Sequence, residues 1–199
     1  MSVMNDKYYF YFVRHGQTQY NVLNLVQGQC DSPLTEKGKK QLQECKKILD
    51  NIDFKHAYVS DLKRTVDSSK ILLKDRDIPI TYTPLIREFA LGEYEKTDNC
   101  KLVTKQINSV IGFEDKGGES IEQIKERMFL AMNKAREENE KGNILMVAHG
   151  GCISLLLHLI DREKIDKYLS DNTMGNASIS IVSYDGSYHY EETIFNGFH

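Results

Sequence analysis

Three short stretches carry residues able to do chemistry: Arg14-His15-Gly16, Ser60-Asp61-Leu62-Lys63-Arg64-Thr65 and His149-Gly150-Gly151. A histidine can act as nucleophile, general acid or base, or metal ligand. The metal role fits poorly, because neither His15 nor His149 opens an HxH, HxxxH or HxxE spacing and no carboxylates cluster beside them. An arginine next to His15 would also repel a cation. Arginine and histidine together suit an anion, and the planar guanidinium fork matches phosphate. Glycine after each histidine lets backbone approach a ligand, and turn amides can add donors to a phosphate nest. Arg64 supplies a second fork, so two guanidinium groups can hold a transferring phosphoryl group as its P–O bond breaks. A cysteine-nucleophile phosphatase needs C-x5-R, but the residues six after the cysteines are Glu36, Asn51, Gln106 and His158. The candidate strand ends offer no DxD nucleophile. Histidine remains as the nucleophile.

These residues need elements to hold them. Hydrophobic period predicts strands at Tyr8–Val13, His56–Val59, Ile78–Tyr82 and Asn143–Ala148. It predicts helices at Thr35–Asn51 behind a Thr35 cap, Asp61–Lys74, Ser120–Glu138 with a Ser120/Gln123 capping box, and Gly151–Leu159. A less regular stretch runs to about Gly118, and the end of the chain alternates around Asp185-Gly186 as a β-hairpin. Strands alternating with helices imply a three-layer α/β/α domain with a mostly parallel central sheet. In such sheets, sites form beyond the carboxyl ends of strands. Two strands end in a histidine followed by glycine, and those histidines face one crevice if the strands are neighbours.

The bulk properties bound the rest. The chain has 199 residues, 40% hydrophobic and 28% charged, which suits one soluble domain with a real core. A net charge of −3 and a pI near 6.1 argue against a general nucleic-acid binder. No apolar run has the length of a membrane span and Met1–Lys7 is polar, so the cytoplasm is the expected location and no membrane partner is expected. Cys30, Cys45, Cys100 and Cys152 form no C-x-x-C pair and read as free thiols; Cys152, three residues after His149, reads as a packing thiol. His56, His158, His189 and His199 read as structural or exposed. The aromatic final hairpin is a possible homodimer interface.

The same stretches resemble the histidine phosphatase superfamily, in its phosphoglycerate-mutase-like branch. FVRHGQTQYN is similar to the family signature, VQGQCDSPLTEKG to the following loop and first helix, and SDLKRT to the segment with the second arginine. LIREFALGEYE matches L-x-x-E-x-x-x-G-x-(W/Y)-E, GGES the segment before the long helix, and VAHGG the second histidine; Asn176-Ala177-Ser178 also has a counterpart. The resemblance implies that His15 forms a phosphohistidine through Nε2, with its other nitrogen held by a backbone carbonyl, that of Gly16. Arg14, Arg64 and His149 would then surround the phosphoryl oxygens. Gly16, Thr18, Asn21, Gln27, Gly28 and Gly150 would line the substrate site. Glu88 would be the proton donor and later the base; the residues by themselves leave Glu88, Glu93 and Glu95 open. No metal and no cofactor are implied.

Two departures bear on substrate: Leu25 stands where relatives often carry arginine, and W-E-G becomes Tyr94-Glu95-Lys96. Mutases of glycerate phosphates carry paired arginines between the positions of Glu88 and Glu119. Residues 89–118 here hold none, only Lys96, Lys101, Lys105 and Lys116. The first three lysines either meet a multiply charged substrate or form a solvated face. The expected function is therefore hydrolysis of a small phosphorylated molecule. The alternatives are a phosphoglycerate mutase and a non-catalytic phospho-ligand-binding module.

Overall fold

In the computed structural model, which describes residues 6–172 and 174–195, the aromatic run at the start of the chain becomes β1 (Tyr8–Arg14). It is followed by α1 (Gln19–Val22), α2 (Glu36–Leu49), β2 (Phe54–Ser60), α3 (Lys63–Leu72), β3 (Ile80–Thr83), α4 (Cys100–Asn108) and α5 (Ile121–Glu138). Then come β4 (Asn143–Ala148), α6 (Gly150–Ile160), α7 (Arg162–Asp171), β5 (Ile179–Tyr184) and β6 (Tyr188–Phe195). The strands form one sheet in the order β3-β2-β4-β1-β5-β6. The first four strands of that order run parallel, and β5 and β6 run antiparallel to their neighbours.

Both faces of the sheet are buried, which is why β1 reads as continuously apolar rather than alternating. Phe10 and Phe12 join Ile144, Met146 and Ala148 in a core completed by α4, α5, α6 and α7. Val13, Leu145 and Val147 pack on the opposite face with Leu42, Cys45, Leu49 and Leu72 from α2 and α3. These two cores make the three layers that the alternating pattern implied. After β1 the chain passes to α2 on one face, and after β4 to α6 on the other. β1 and β4 are paired, so the sheet has a topological switch between them, where α/β folds open a crevice.

Local signals start the helices where the sequence placed them. Thr35 caps α2 by accepting the Gly38 amide at 3.0 Å. Ser120 and Gln123 form the reciprocal box at the start of α5, at 3.1 and 2.8 Å. Four helices differ from expectation, the first being α1, a single turn that the hydrophobic period does not announce. α3 begins at Lys63 rather than Asp61, because Leu62 before it is extended (φ −68°, ψ 140°), and the Asp61 carboxylate is taken by Arg87 in a two-bond pair, each bond 2.6 Å. α4 condenses out of the irregular stretch, with only Val103 and Ile107 buried. α7 was not anticipated; Asp161 caps it by accepting the Lys164 amide at 3.0 Å, and Ile165 is its buried anchor.

The final hairpin turns at Asp185-Gly186 as expected, with Gly186 at φ +128°. Its aromatic side chains pack within the chain. The Arg136 guanidinium lies 3.4 Å over the Tyr184 ring, and Tyr190 is buried. His158 bonds Ser154 and Asp166, and His56 bonds Asn139 and Thr81, so both are structurally engaged. His199 lies outside the described residues. No helix among the described residues is long and apolar enough to cross a membrane.

Candidate active site

The strand register brings the three reactive stretches to one level. Val13 pairs with Val147 and Val147 with Val59, so His15, His149 and Ser60 all emerge at the carboxyl edge of adjacent strands. The His15 amide extends the ladder to the Ala148 carbonyl at 3.1 Å. Above this edge opens a cavity of about 430 Å³, whose lining includes Arg14, His15, Arg64, Glu88 and Gly150.

His15 is 2% exposed, and its Nδ1 lies 2.8 Å from the Gly16 carbonyl. A carbonyl only accepts, so Nδ1 carries the proton and Nε2 carries the free pair. Burial, and then the charges of Arg64 and Arg14, hold the imidazole pKa well below the usual 6.5, so the ring is neutral at pH 7. Among the described residues no group hydrogen-bonds Nε2. The carbonyl of His15 is fixed by the Ala177 amide (3.1 Å) and by Asn176 Nδ2 (3.3 Å).

Both arginines donate hydrogen bonds to backbone carbonyls rather than to carboxylates. Arg64, 1% exposed, donates to the carbonyls of Gly28 (2.6 Å) and Cys30 (2.8 Å) and through Nε to His149 Nδ1 (3.2 Å). Arg14 donates to the Met174 carbonyl, while its buried Nε has no partner. Two guanidinium charges thus sit beside a single cavity carboxylate, Glu88, with Asp31 3.5 Å from Arg64 at the rim. That imbalance, with an orphan donor, is the electrostatic signature of an anion site.

His149 is fully buried, with its ring centroid 5.4 Å from that of His15. Its Nδ1 accepts from Arg64, so Nε2 carries the proton and donates to Ser60 Oγ at 2.8 Å. Burial and then Arg64 keep its pKa well below the usual value. The structure therefore places His149 behind the cavity wall, linking Ser60 to Arg64.

Of the three carboxylates left open by the residue pattern, only Glu88 lines the cavity. Its Oε2 accepts from the Gly151 amide (3.0 Å), and its Oε1 from the amides of Cys152 (2.9 Å) and Phe89 (3.1 Å). It thereby caps α6, whose own N-cap residue His149 makes no side-chain cap bond. Glu95 instead turns back to the Gln29 amide and the Cys30 thiol, behind Gly28. A side chain at Gly28 (φ +52°) would strike Glu95 Oε1 at 2.2 Å. Glu93 is exposed.

The segment carrying Glu88 is clamped by a pair that the sequence reading did not single out. Arg127 grips Glu119 with two bonds (2.8 and 3.0 Å) and donates to the carbonyls of Leu85, Arg87 and Glu88. Glu119 also accepts the Ala90 amide at 2.8 Å. Ser60 was likewise not singled out, although its position at a strand end beside Arg64 was visible.

Asn21, Gln27, Gly28 and Gly150 line the cavity, whereas Gly16 and Thr18 do not. Gly16 acts through His15, as described. Thr18 is buried and bonds the carbonyl side of both neighbouring amides: its N–H reaches Asn21 Oδ1 (3.0 Å), and its hydroxyl lies 3.0 Å from Gln27 Oε1. Asn176 donates to the same Asn21 oxygen at 3.1 Å. With their carbonyls occupied, Asn21 and Gln27 keep their NH2 groups as donors for the cavity. Lys96, Lys101 and Lys105 are exposed and line no part of it. Cys152 is a packed thiol whose pKa burial pushes up. Among the described residues no group of three or more His, Cys, Asp or Glu is arranged to hold a metal ion.

Comparison with known proteins adds to this geometry. A profile described as the histidine phosphatase superfamily (branch 1) matches residues 10–196. A probable phosphoglycerate mutase GpmB of Salmonella choleraesuis (strain SC-B67) is 31% identical over 157 residues, covering 75% of this chain and 73% of the relative. Among solved structures, phosphoglycerate mutase from Bacillus anthracis str. Sterne superposes with a TM-score of 0.80 at 26% identity, over 96% of this chain and 95% of that one. Bacillus stearothermophilus YhfR superposes with a TM-score of 0.79, also at 26% identity, over 92% and 94%.

Proposed function

The chain belongs to the histidine phosphatase superfamily, branch 1, and on that premise we propose that it hydrolyses a phosphomonoester through a phosphohistidine on His15, with no metal ion taking part. One observation carries the reading: a neutral imidazole, fixed through Nδ1, presents an unpartnered Nε2 beside a cavity lined by two guanidinium groups.

In the first step the Nε2 lone pair attacks phosphorus and the bond to the ester oxygen breaks. Glu88, in its carboxylic acid form, gives its proton to the departing oxygen, and the alcohol leaves. In the second step a water attacks the phosphohistidine. Glu88, now a carboxylate, takes the water's proton, the P–N bond breaks, and neutral His15 is restored with inorganic phosphate as product. Arg14 and Arg64 meet the charge that develops on the phosphoryl oxygens, and Asn21 and Gln27 add NH2 donors. His149 holds Arg64 in place and is itself held by Ser60.

The mutase reading requires a grip for a second anionic group while the phosphoryl group is returned. Among the described residues the cavity contains no cation besides Arg14 and Arg64, which favours hydrolysis. The test is turnover of p-nitrophenyl phosphate by wild type and His15→Ala. The variant should lose roughly a thousandfold or more in kcat, and phosphate should appear in step with nitrophenol. Equal rates would remove His15 as the nucleophile. Interconversion of phosphoglycerates without phosphate release would establish the mutase instead.

A further inference from the structure

The lining of the cavity divides by chemistry. The two arginines, His15 and Glu88 supply its reactive groups; Leu25, Val26, Leu91, Val103, Ile107 and Leu169 supply aliphatic surface, with the neutral side chains of Thr104, Asn108 and Ser154 among them. Val26, Leu91, Val103 and Ile107 are at most 7% exposed, so these walls are packed against the core rather than left at a loose rim. They come from separate parts of the chain: the loop after α1, the turn after Glu88, one face of α4, and α7. α4 has two sides. Val103 and Ile107 face inward, while Lys101 and Lys105 are exposed on the other side.

Both cavity guanidinium groups sit where the phosphoryl group must go. A substrate with a second anion beyond its ester oxygen would bring that charge against aliphatic and neutral polar lining, where among the described residues no further cation meets it. Removing a carboxylate or phosphate from water without a partner is strongly unfavourable. An apolar group in the same place gains from burial. We propose that the leaving alcohol is uncharged and largely apolar, so that this site takes monoesters of aliphatic or aryl alcohols in preference to phosphorylated acids or bisphosphates. This rests on the hydrolytic reading of the site and adds to it the class of substrate.

The test uses esters matched in leaving-group basicity, so that binding rather than intrinsic reactivity is read. Hexyl phosphate is compared with the phosphate monoester of 6-hydroxyhexanoate, which carries a carboxylate at the far end of a similar chain. Wild type should prefer the hexyl ester by roughly tenfold or more in kcat/KM. Leu25→Arg, which adds a cation to the cavity lining, should narrow or reverse that ratio. Equal or reversed preference in wild type, with turnover still lost in His15→Ala, would overturn the substrate class and leave the phosphatase intact. Absence of His15-dependent turnover on both esters and on p-nitrophenyl phosphate would overturn both.

Discussion

The chemistry of single residues here is set by what their second polar atom touches. His15 is a nucleophile in waiting because Gly16 holds its Nδ1 proton, and Asn21 and Gln27 are donors because Thr18 occupies their carbonyls. Glu88 has three amides on its two oxygens, which fix the carboxyl in one orientation at the cavity. Its proton matters most when the departing alkoxide is strongly basic. Glu88→Gln keeps an acceptor for the α6 amides but cannot cycle a proton. Its kcat should fall by about 10²–10⁴ for an alkyl phosphate and by far less for p-nitrophenyl phosphate, whose leaving group needs little protonation. A uniform loss on both esters would show that Glu88 only supports the fold of the site. Residue types alone pointed to His15, Arg14 and Arg64, since histidine beside arginine at a strand end is legible in one dimension. They could not choose among Glu88, Glu93 and Glu95. That choice depends on which carboxylate meets the start of α6, 63 residues away in sequence, and only the folded chain or a family pattern supplies it.

Among the elements, those with a local signal beside a clear hydrophobic period were legible; α4 was not, and neither were α1 and α7, whose caps at Thr18 and Asp161 stand without such a period. Thr35 and the Ser120/Gln123 box mark their helices because capping is a matter of three or four residues. β1 and β4 announce themselves because a strand buried on both faces is a short apolar run. α4 has only Val103 and Ile107 buried, too few for a clear period, and it forms where the cavity needs a wall. The turn carrying Glu88 has no regular structure of its own; it is held by Arg127, whose guanidinium meets three carbonyls and Glu119. Arg127→Ala should destabilise the protein by about 3–5 kcal/mol, as expected on breaking a largely buried ion pair, read by urea unfolding. Because Arg127 acts through the placement of Glu88, the variant should also lose more activity on an alkyl than on an aryl phosphate, a weaker form of the Glu88→Gln pattern. Arg127→Lys should recover part of the stability and part of that leaving-group bias. Lost stability with no change in leaving-group dependence would restrict Arg127 to a structural role.

At the scale of the whole molecule, the sheet places two neutral imidazoles and two guanidinium groups under one roof, and this ties folding to pH. Burial and the neighbouring arginines keep both His15 and His149 well below the usual 6.5 in the folded chain, whereas unfolding returns them to it. As pH falls below about 6.5 the unfolded chain takes up protons that the folded chain refuses, so stability declines from there downward. Above that pH the two histidines add no slope. Asp61 behaves oppositely in cause but alike in outcome. Its bonds to Arg87 lower its pKa from 3.8, so its contribution persists above that value and fades only in stronger acid. The exposed ion pairs on α2 and α3 add little to either window. Urea unfolding at pH 7.5 and pH 5.0 should therefore show wild type losing stability across an interval in which the paired carboxylates are still ionised. His149→Gln keeps a donor near Ser60 but cannot be protonated. Whatever its starting stability, it should lose less between the two pH values than wild type. An equal loss in both proteins would mean that His149 titrates normally, and with it would fall the account of a dry cationic site that excludes protons in order to receive an anion.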